Sequence, residues 1–516
     1  MPSLKKTKGT MMASLTYLYL LVGVPVLFIL VLPKLLGNSR SKLPHPPGPW
    51  GLPFIGNLHQ LDISILPHQL WRLSKKYGPI LYLRLGYLPA LIISSPEMAK
   101  QLLKTHDLIF CSRPNFFGLR KVSYNGTDIA FAPYNDYWKE MRKILTVHVF
   151  SSKRVQSFRL IREEEVFHMI KRISQKASAN EVLNLSKIMM PLTNTITCRL
   201  AFGKKFDEDH MKRFEVLLNR LGVVMATFYF SDHFPLFGWL DRLTGSSARL
   251  EKSFHDMDWF YQELIDEHLS PSRPSSMEGD VIDILLQLKN DGQISSIDFT
   301  LNNIKAVIMN LFFAGTESTA NTVIWIMTSL IKNPGVMHKA QEEVRNMMHG
   351  KERIHEEDLQ NLKLPYLEAV IKETMRMYPI LPLIPRESLD RLVLNGYEIK
   401  PKTIVYVNVL AIHRDPEVWE NPDEFLPERF LNNDIQYKGH DFEYIPFGTG
   451  RRICPGMNMA VTTLELVISN LLFSFDWELP PGMKKEDIDT EDGHVEGHGV
   501  TLHKKYPLCL QPRICC

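Results

Sequence analysis

Phe447-Gly448-Thr449-Gly450-Arg451-Arg452-Ile453-Cys454-Pro455-Gly456 decides how the rest of the chain is read. The nearest cysteine along the chain is Cys509, so a local disulfide does not explain Cys454, whereas a thiolate serving as a metal ligand does. Pro455 suits the first turn of a helix expected over residues 456–473. That helix would put the sulfur where free backbone N–H groups and the positive dipole end favour an anion, which predicts a lowered thiol pKa. Gly450 and Gly456 let the backbone approach a flat cofactor, Phe447 can shield the sulfur from water, and Arg452 can meet a carboxylate on the cofactor's edge. The competing reading is a surface loop around a buried structural cysteine.

At every fixed position these ten residues resemble the haem-binding signature of the cytochrome P450 family, Phe-x-x-Gly-x-Arg-x-Cys-x-Gly. The resemblance implies that Cys454 is the axial thiolate of the iron in haem b, where its electron donation favours O–O cleavage. Upstream, Ala314-Gly315-Thr316-Glu317-Ser318-Thr319 falls in a long apolar helix expected over residues 300–331. Lys305, Asn310 and Glu317 would be costly in lipid, so this helix is read as crossing the protein core. Ala314 and Gly315 leave room beside a macrocycle, while Glu317 and Ser318 can hold water and pass protons. Taken alone, the hexad also reads as a polar cluster satisfied within the core. It resembles the family's oxygen-activation motif, Ala/Gly-Gly-x-Asp/Glu-Thr-Thr/Ser, with Ser318 at the usual threonine. Lacking a methyl on Cβ, Ser318 has a less restricted rotamer, and looser coupling of proton delivery is expected.

Glu373 and Arg376 are three apart on one helix face, and with Arg429 of Pro427-Glu428-Arg429-Phe430 they resemble the family's buried Glu-x-x-Arg network, a structural support with no direct chemistry. Trp138 and Arg142, four apart, match the family's pattern for holding a haem propionate, and Arg386 resembles a further propionate partner. His413 has no second ligand at metal-binding spacing and is read as structural.

With 516 residues, 45% hydrophobic and 23% charged, the chain can build a large core, and a net charge of +3 gives no case for nucleic acid. The six cysteines show no zinc spacing and no secreted disulfide framework, which suggests reduced thiols. Residues 9–33 carry no charge, and the apolar run 15–32 is long enough to span a bilayer. Lys5, Lys6 and Lys8 balance Lys34, Arg40 and Lys42, so charge alone does not set orientation; initiation at Met11 or Met12 would turn the body to the cytosol, the side the resemblance also implies. Leu43-Pro44-His45-Pro46-Pro47-Gly48-Pro49 reads as a stiff, extended hinge.

A hairpin is expected from strands 80–85 and 90–94, followed by a Ser95-capped helix to about residue 104. Helices are expected over 136–149, 159–175, 209–226, 247–269, 280–288, 300–331 and 334–348, a surface loop over 270–279, and strands within 392–409 and 506–510. The fold class is therefore mainly α with small β-sheets, and the resemblance implies the cytochrome P450 fold: an anchor (1–33), a hinge (34–50) and one haem-thiolate catalytic domain (51–516).

The hinge and motif wording resemble plant microsomal members of the A-type clan. That resemblance implies an NADPH- and O2-dependent monooxygenase acting on a small lipophilic plant metabolite. It also implies a single-pass anchor in the endoplasmic reticulum membrane, electrons from NADPH-cytochrome P450 reductase, cytochrome b5 as a further partner, and a reductase-facing basic surface including Lys139, Lys143 and Arg451. Substrate is expected against residues 113–127, 310–314 and 380–384 and the turn at Val500. Two alternatives stay open: a haem-thiolate dehydratase or isomerase that needs no reductase, and a non-enzymatic haem-binding membrane protein.

Overall fold

The computed structural model describes residues 43–273, 279–291, 297–488 and 501–515. The anchor, the first part of the hinge, the Val500 turn, residues 274–278 of the surface loop and Cys516 lie outside the described residues.

The longer helices are α1 (Leu66–Tyr77), α2 (Asp136–His148), α3 (Arg159–Ser178), α4 (Ser186–Phe202), α5 (Glu208–Ala226), α6 (Ser246–Leu269), α7 (Val281–Asn290), α8 (Leu301–Lys332), α9 (Pro334–Met347), α10 (Pro365–Met377) and α11 (Met457–Ser474). The helices foreseen from periodicity appear with their ends moved by a few residues. Of these longer helices, two were not foreseen, α1 and α4. In α4, Pro191 and the threonines at 193, 195 and 197 weaken helix propensity, and burial runs unbroken from Leu192 to Cys198, so no amphipathic period marks the helix.

The main sheet runs β1 (Ile80–Leu85), β2 (Leu88–Ile93), β7 (Ile404–Asn408), β4 (Leu383–Glu387), with β7 parallel to β2 and the other pairs antiparallel. Smaller sheets join β3 (Leu183–Asn184), β9 (Cys509–Ile514) and β8 (Phe475–Glu478), and β5 (Leu392–Leu394) with β6 (Tyr397–Ile399). Ser95 caps its helix by accepting from the Met98 N–H at 3.3 Å, as expected.

The described end of the hinge, residues 43–50, forms no helix or strand and is fastened to the sheet. The Tyr82 N–H donates to the Pro47 carbonyl at 2.9 Å, and the His45 ring stacks on Tyr82 with centroids 5.2 Å apart. A Cβ on Gly48 would fall 2.0 Å from the Tyr82 carbonyl oxygen, so only glycine permits this approach.

Two large hydrophobic clusters form most of the core, and α8 threads both. Its first half, Ile304 to Phe312, packs with α2, α5, α6 and α7; its second half, Ala320 to Ile331, packs with α3, α9, α10 and α11. Each polar residue that argued against a lipid location has a protein partner: Lys305 reaches Asp258 at 2.7 Å, Asn310 reaches Asp128 at 2.9 Å, and Glu317 accepts from Thr501 at 3.2 Å. Among the described residues, only α11 is long and apolar enough to cross a membrane, and it is largely buried in the core.

Candidate active site

Cys454 ends a short turn and directly precedes Pro455 and the start of α11. Its N–H donates to the Phe447 carbonyl at 3.0 Å, which closes the loop 447–454 and turns the Phe447 ring edge-on to Tyr437. The helix starts one residue later than expected, with Gly456 as N-cap and Met457 as its first residue, so Pro455 lies outside the first turn. The expected fall in the thiol pKa is reversed: burial pushes it up, opposed by the Gly456 N–H and by Arg142. The polypeptide alone therefore disfavours the thiolate, which a positive centre bound to the sulfur would favour.

Gly450 has a reason different from the one expected. It sits at φ +71°, and a Cβ there would lie 2.8 Å from the Leu103 carbonyl oxygen and 2.9 Å from Asp107, so this glycine lets the loop meet protein. A Cβ on Gly456 would stand 4.0 Å from the Cys454 sulfur, an ordinary contact.

Around this loop the chain gathers four arginines, Arg386 and Arg452 buried and Arg113 and Arg142 half-buried. Arg452 stacks on the Trp138 ring, 4.0 Å from its centroid, and donates to the carbonyls of Cys111 (2.9 Å), Ile129 (3.2 Å) and Ala132 (2.6 Å). Trp138 also gives its indole N–H to Ile129, at 3.0 Å, so it holds Arg452 and the 129–132 loop and does not point that N–H at a ligand. Arg113 donates to the Ala130 carbonyl at 2.9 Å and to that of Pro385. Arg386, on β4, gives one N–H to the Pro385 carbonyl, while its buried Nε has no hydrogen-bond partner among the described residues. Arg142, on α2, donates to the Ile453 carbonyl.

These cations are under-neutralised. Burial pulls Arg386 down to about 10; burial and the Arg386 charge pull Arg452 down to about 9; burial, then Arg386 and Arg452, hold Arg113 well below the guanidinium range. Asp128 is the fully buried carboxylate nearby, but the N–H groups of residues 130–132 and Asn310 hold it, and Asp107 is taken by Arg451. The buried Arg386, with a spare N–H, and Arg452 close to a half-buried sulfur fit a flat group with a metal at its centre and carboxylates on its edge.

On α8, Ala314 and Gly315 are exposed although the residues from Ile304 to Asn310 and from Thr322 to Leu330 are buried. Leu311, Ala314, Gly315 and Ser318 repeat at helical spacing, so one stripe in the middle of a core helix borders open space. The Ser318 hydroxyl donates to the Ala314 carbonyl at 2.6 Å. Behind the stripe, Thr316 is buried with its hydroxyl unpartnered among the described residues. A Cβ on Gly315 would stand 3.3 Å from the Thr197 hydroxyl of α4.

The sequence model of one family, described as Cytochrome P450, matches residues 46–510. The chain belongs to the cytochrome P450 family. It is 48% identical over 510 residues to 5-OH-xanthotoxin synthase of Pastinaca sativa, covering 96% of this chain and 98% of that enzyme. It is 47% identical over 512 residues to 6,7,8-trihydroxycoumarin synthase of the same plant, with the same coverage. Identity to Cytochrome P450 71A1 of Persea americana is 46%, over 88% of this chain and 90% of that one. A zebra fish cytochrome P450 solved with abiraterone superposes with a TM-score of 0.70 at 25% identity, covering 87% of this chain and all of that one. The protein is a cytochrome P450 monooxygenase of the plant A-type kind, and the family implies haem.

In this P450 the Glu373 network is closed. Arg376 and Glu373, both fully buried, pair through two hydrogen bonds of 2.8 and 2.9 Å, and Arg429 reaches the same carboxylate at 3.1 Å. Arg376 also donates to the carbonyls of His413 and Pro422, each at 2.8 Å. His413 is structural, as expected: Nδ1–H faces the Arg376 carbonyl (3.2 Å), Nε2 accepts from the Ile445 N–H (2.9 Å), and burial holds its pKa down to about 3.

Sequence reasoning missed Arg113 as a member of the arginine cluster, Asp128 as the organiser of the 129–132 loop, and Thr501 as a partner of Glu317. Asn310, expected to face substrate, turns its amide to that loop, accepting from the Ile129 and Ala130 N–H groups at 3.0 and 3.2 Å. None of these has a spacing signal, because each contact joins segments far apart in sequence. Lys139, Lys143 and Arg451, expected on a docking face, each have an acidic neighbour: Asp136, Glu140 and Asp107.

Proposed function

We propose that this P450 is a reductase-dependent haem-thiolate monooxygenase that hydroxylates a small, planar, lipophilic plant phenolic of the coumarin or furanocoumarin type. The observation that carries the reading is the under-neutralised arginine cluster beside the Cys454 loop. Bound haem b supplies O2 activation, in which two electrons from NADPH let one oxygen atom enter the substrate and the other leave as water.

The chain's own residues then have these roles. Cys454 would ligate the iron, and Phe447 and Gly456 shape the loop around the sulfur. Arg113, Arg142, Arg386 and Arg452 would neutralise the carboxylate edge, with Trp138 steadying Arg452. Ala314 would leave room at the face of the cofactor. Glu317 carries protons inward at its carboxylate, and Ser318 holds them at Oγ, next to the stripe where substrate lies. Leu311, Ala314 and Gly315 suit a flat apolar ring. The two parsnip relatives are named for products bearing aromatic hydroxyl groups, which supports this substrate class.

The apolar run 15–32 supports a single-pass anchor, and membership of the plant A-type kind supports the endoplasmic reticulum with the body facing the cytosol, where the reductase and cytochrome b5 would meet it. The test is a reduced carbon monoxide difference spectrum of wild type and Cys454→Ser, followed by NADPH consumption with the reductase and a panel of coumarins. A thiolate-type band lost in the variant, with substrate-dependent NADPH use and a hydroxylated product, is expected. An unchanged spectrum in Cys454→Ser overturns the ligand, and product formed without NADPH use favours an isomerase or dehydratase.

A further inference from the structure

The acid on α8 is held from outside its own helix. Thr501 donates its hydroxyl proton to Glu317 Oε2 at 3.2 Å, and the next residue fixes where Thr501 stands. Leu502 is 1% exposed, packed with Trp325, Met377 and Tyr378. Its N–H donates to the Ile380 carbonyl at 2.8 Å, and its carbonyl accepts from the Trp325 indole N–H at 3.4 Å. Trp325 in turn lies flat on Tyr378, with centroids 4.1 Å apart and planes 8° from parallel. Thr501 is thus attached to a rigid aromatic clamp on α8, eight residues beyond Glu317, and through Ile380 to the segment that leads into β4.

We propose that Thr501 is the positioning residue for Glu317, fixing its carboxylate in one rotamer and tying it to the 380–384 segment, so that a substrate pressing on that segment changes how the acid is held. The inference rests on the proton-carrying role given to Glu317 above. A neutral hydroxyl donating to a carboxylate makes a charge-assisted hydrogen bond, stronger than an ordinary one, and its geometry restricts a side chain that would otherwise sample several rotamers. The path Ile380–Leu502–Thr501–Glu317 is continuous in hydrogen bonds and one peptide link, which is the kind of contiguous connection through which a displacement at one end reaches the other.

The experiment uses the full-length holoenzyme with its reductase. Thr501→Val removes the hydroxyl at nearly constant shape, Thr501→Ser restores it, and Glu317→Gln identifies the Glu317 carboxylate stretch as the infrared band it abolishes. In Thr501→Val that band should shift and broaden, and the share of NADPH oxidised that ends as hydrogen peroxide should rise roughly two- to fivefold, both returning towards wild type in Thr501→Ser. The carbon monoxide spectrum should be the same in all three Thr501 forms; should Thr501→Val fail to hold haem, Thr501→Ala makes the same comparison.

An unmoved carboxylate band in the variant lacking the hydroxyl overturns the proposal, as does a peroxide share that serine fails to restore. Failure of the underlying reading looks different. There, Glu317→Gln itself would leave NADPH consumption and peroxide release unchanged, whatever Thr501 does.

Discussion

Two of the places where the protein buries arginine treat it in opposite ways. Around Glu373, the Arg376 guanidinium is fully donated to a bidentate carboxylate and backbone carbonyls, and Arg429 completes the charge. Around Arg452, two guanidinium groups, Arg452 and Arg113, share the 129–132 loop of carbonyls, while Arg386 bonds only the Pro385 carbonyl and its Nε is left with nothing to bond among the described residues. A closed cluster of this kind is a strut, and an open one has room for an anion. Arg376 and Arg386 are the same residue type at nearly the same depth, so the difference between them lies in what each guanidinium meets.

The largest effect should come from opening the closed cluster. Glu373→Ala leaves two buried cations facing a vacated site, and Arg376→Ala leaves a buried carboxylate with Arg429 alone. Removal of one partner of such a pair costs about 3–5 kcal/mol, a large part of a domain's net stability. Either variant should yield little soluble protein with a haem spectrum, checked by the ratio of haem absorbance to protein after expression. A stable holoprotein from Glu373→Ala would break the distinction.

The open cluster should behave the other way. In Arg386→Leu the haem-free protein loses a buried, half-satisfied charge, so its denaturation midpoint should stay level or rise by the equivalent of about 1 kcal/mol. Haem retention should suffer at the same time, with dissociation into an acceptor globin faster by about tenfold, as expected for one charge-assisted bond. If apoprotein stability and haem retention fall together, Arg386 is a strut like Arg376.

How far each cluster can be seen in the sequence follows from the reach of its contacts. Glu373 and Arg376 share a helix turn, and Trp138 and Arg142 share another, so spacing alone brings each pair onto one face. The Cys454 loop is continuous and keeps its chemistry in ten residues. Arg113, Asp128 and Asn310 meet only because α8, β4 and the 112–132 segment converge, with separations of up to 272 residues between Arg113 and Pro385. No periodicity encodes such a meeting. The same limit hid α4, whose burial on every side erased the signal that marks a half-buried helix, and it assigned Gly450 to a cofactor when the Leu103 carbonyl is what requires it. The helix pattern and fold class were legible because amphipathic faces are local; the balance of buried charge was not.

Glu465 on α11 gives the smallest and sharpest test, because it is the acid counterpart of the open cluster. Glu373 has two arginines; Glu465 has no ion pair among the described residues, and burial first, then the charges of Glu368 and Glu356, push its carboxyl up to about 7. An acid whose folded-state pKa lies above its unfolded value is protonated in the folded chain while ionised in the unfolded one. Across roughly pH 4.5 to 7 the folded state therefore holds the extra proton, and stability contributed by this group is lost as pH rises through that window. Once ionised it costs the fold on the order of 2 kcal/mol. Glu465→Gln keeps the shape and removes the charge, so its thermal midpoint should exceed that of wild type by a few degrees at pH 8 and match it near pH 5. A difference that does not change with pH would mean that Glu465 has a counter-ion after all, and that an acid at this depth is neutralised as completely as Glu373.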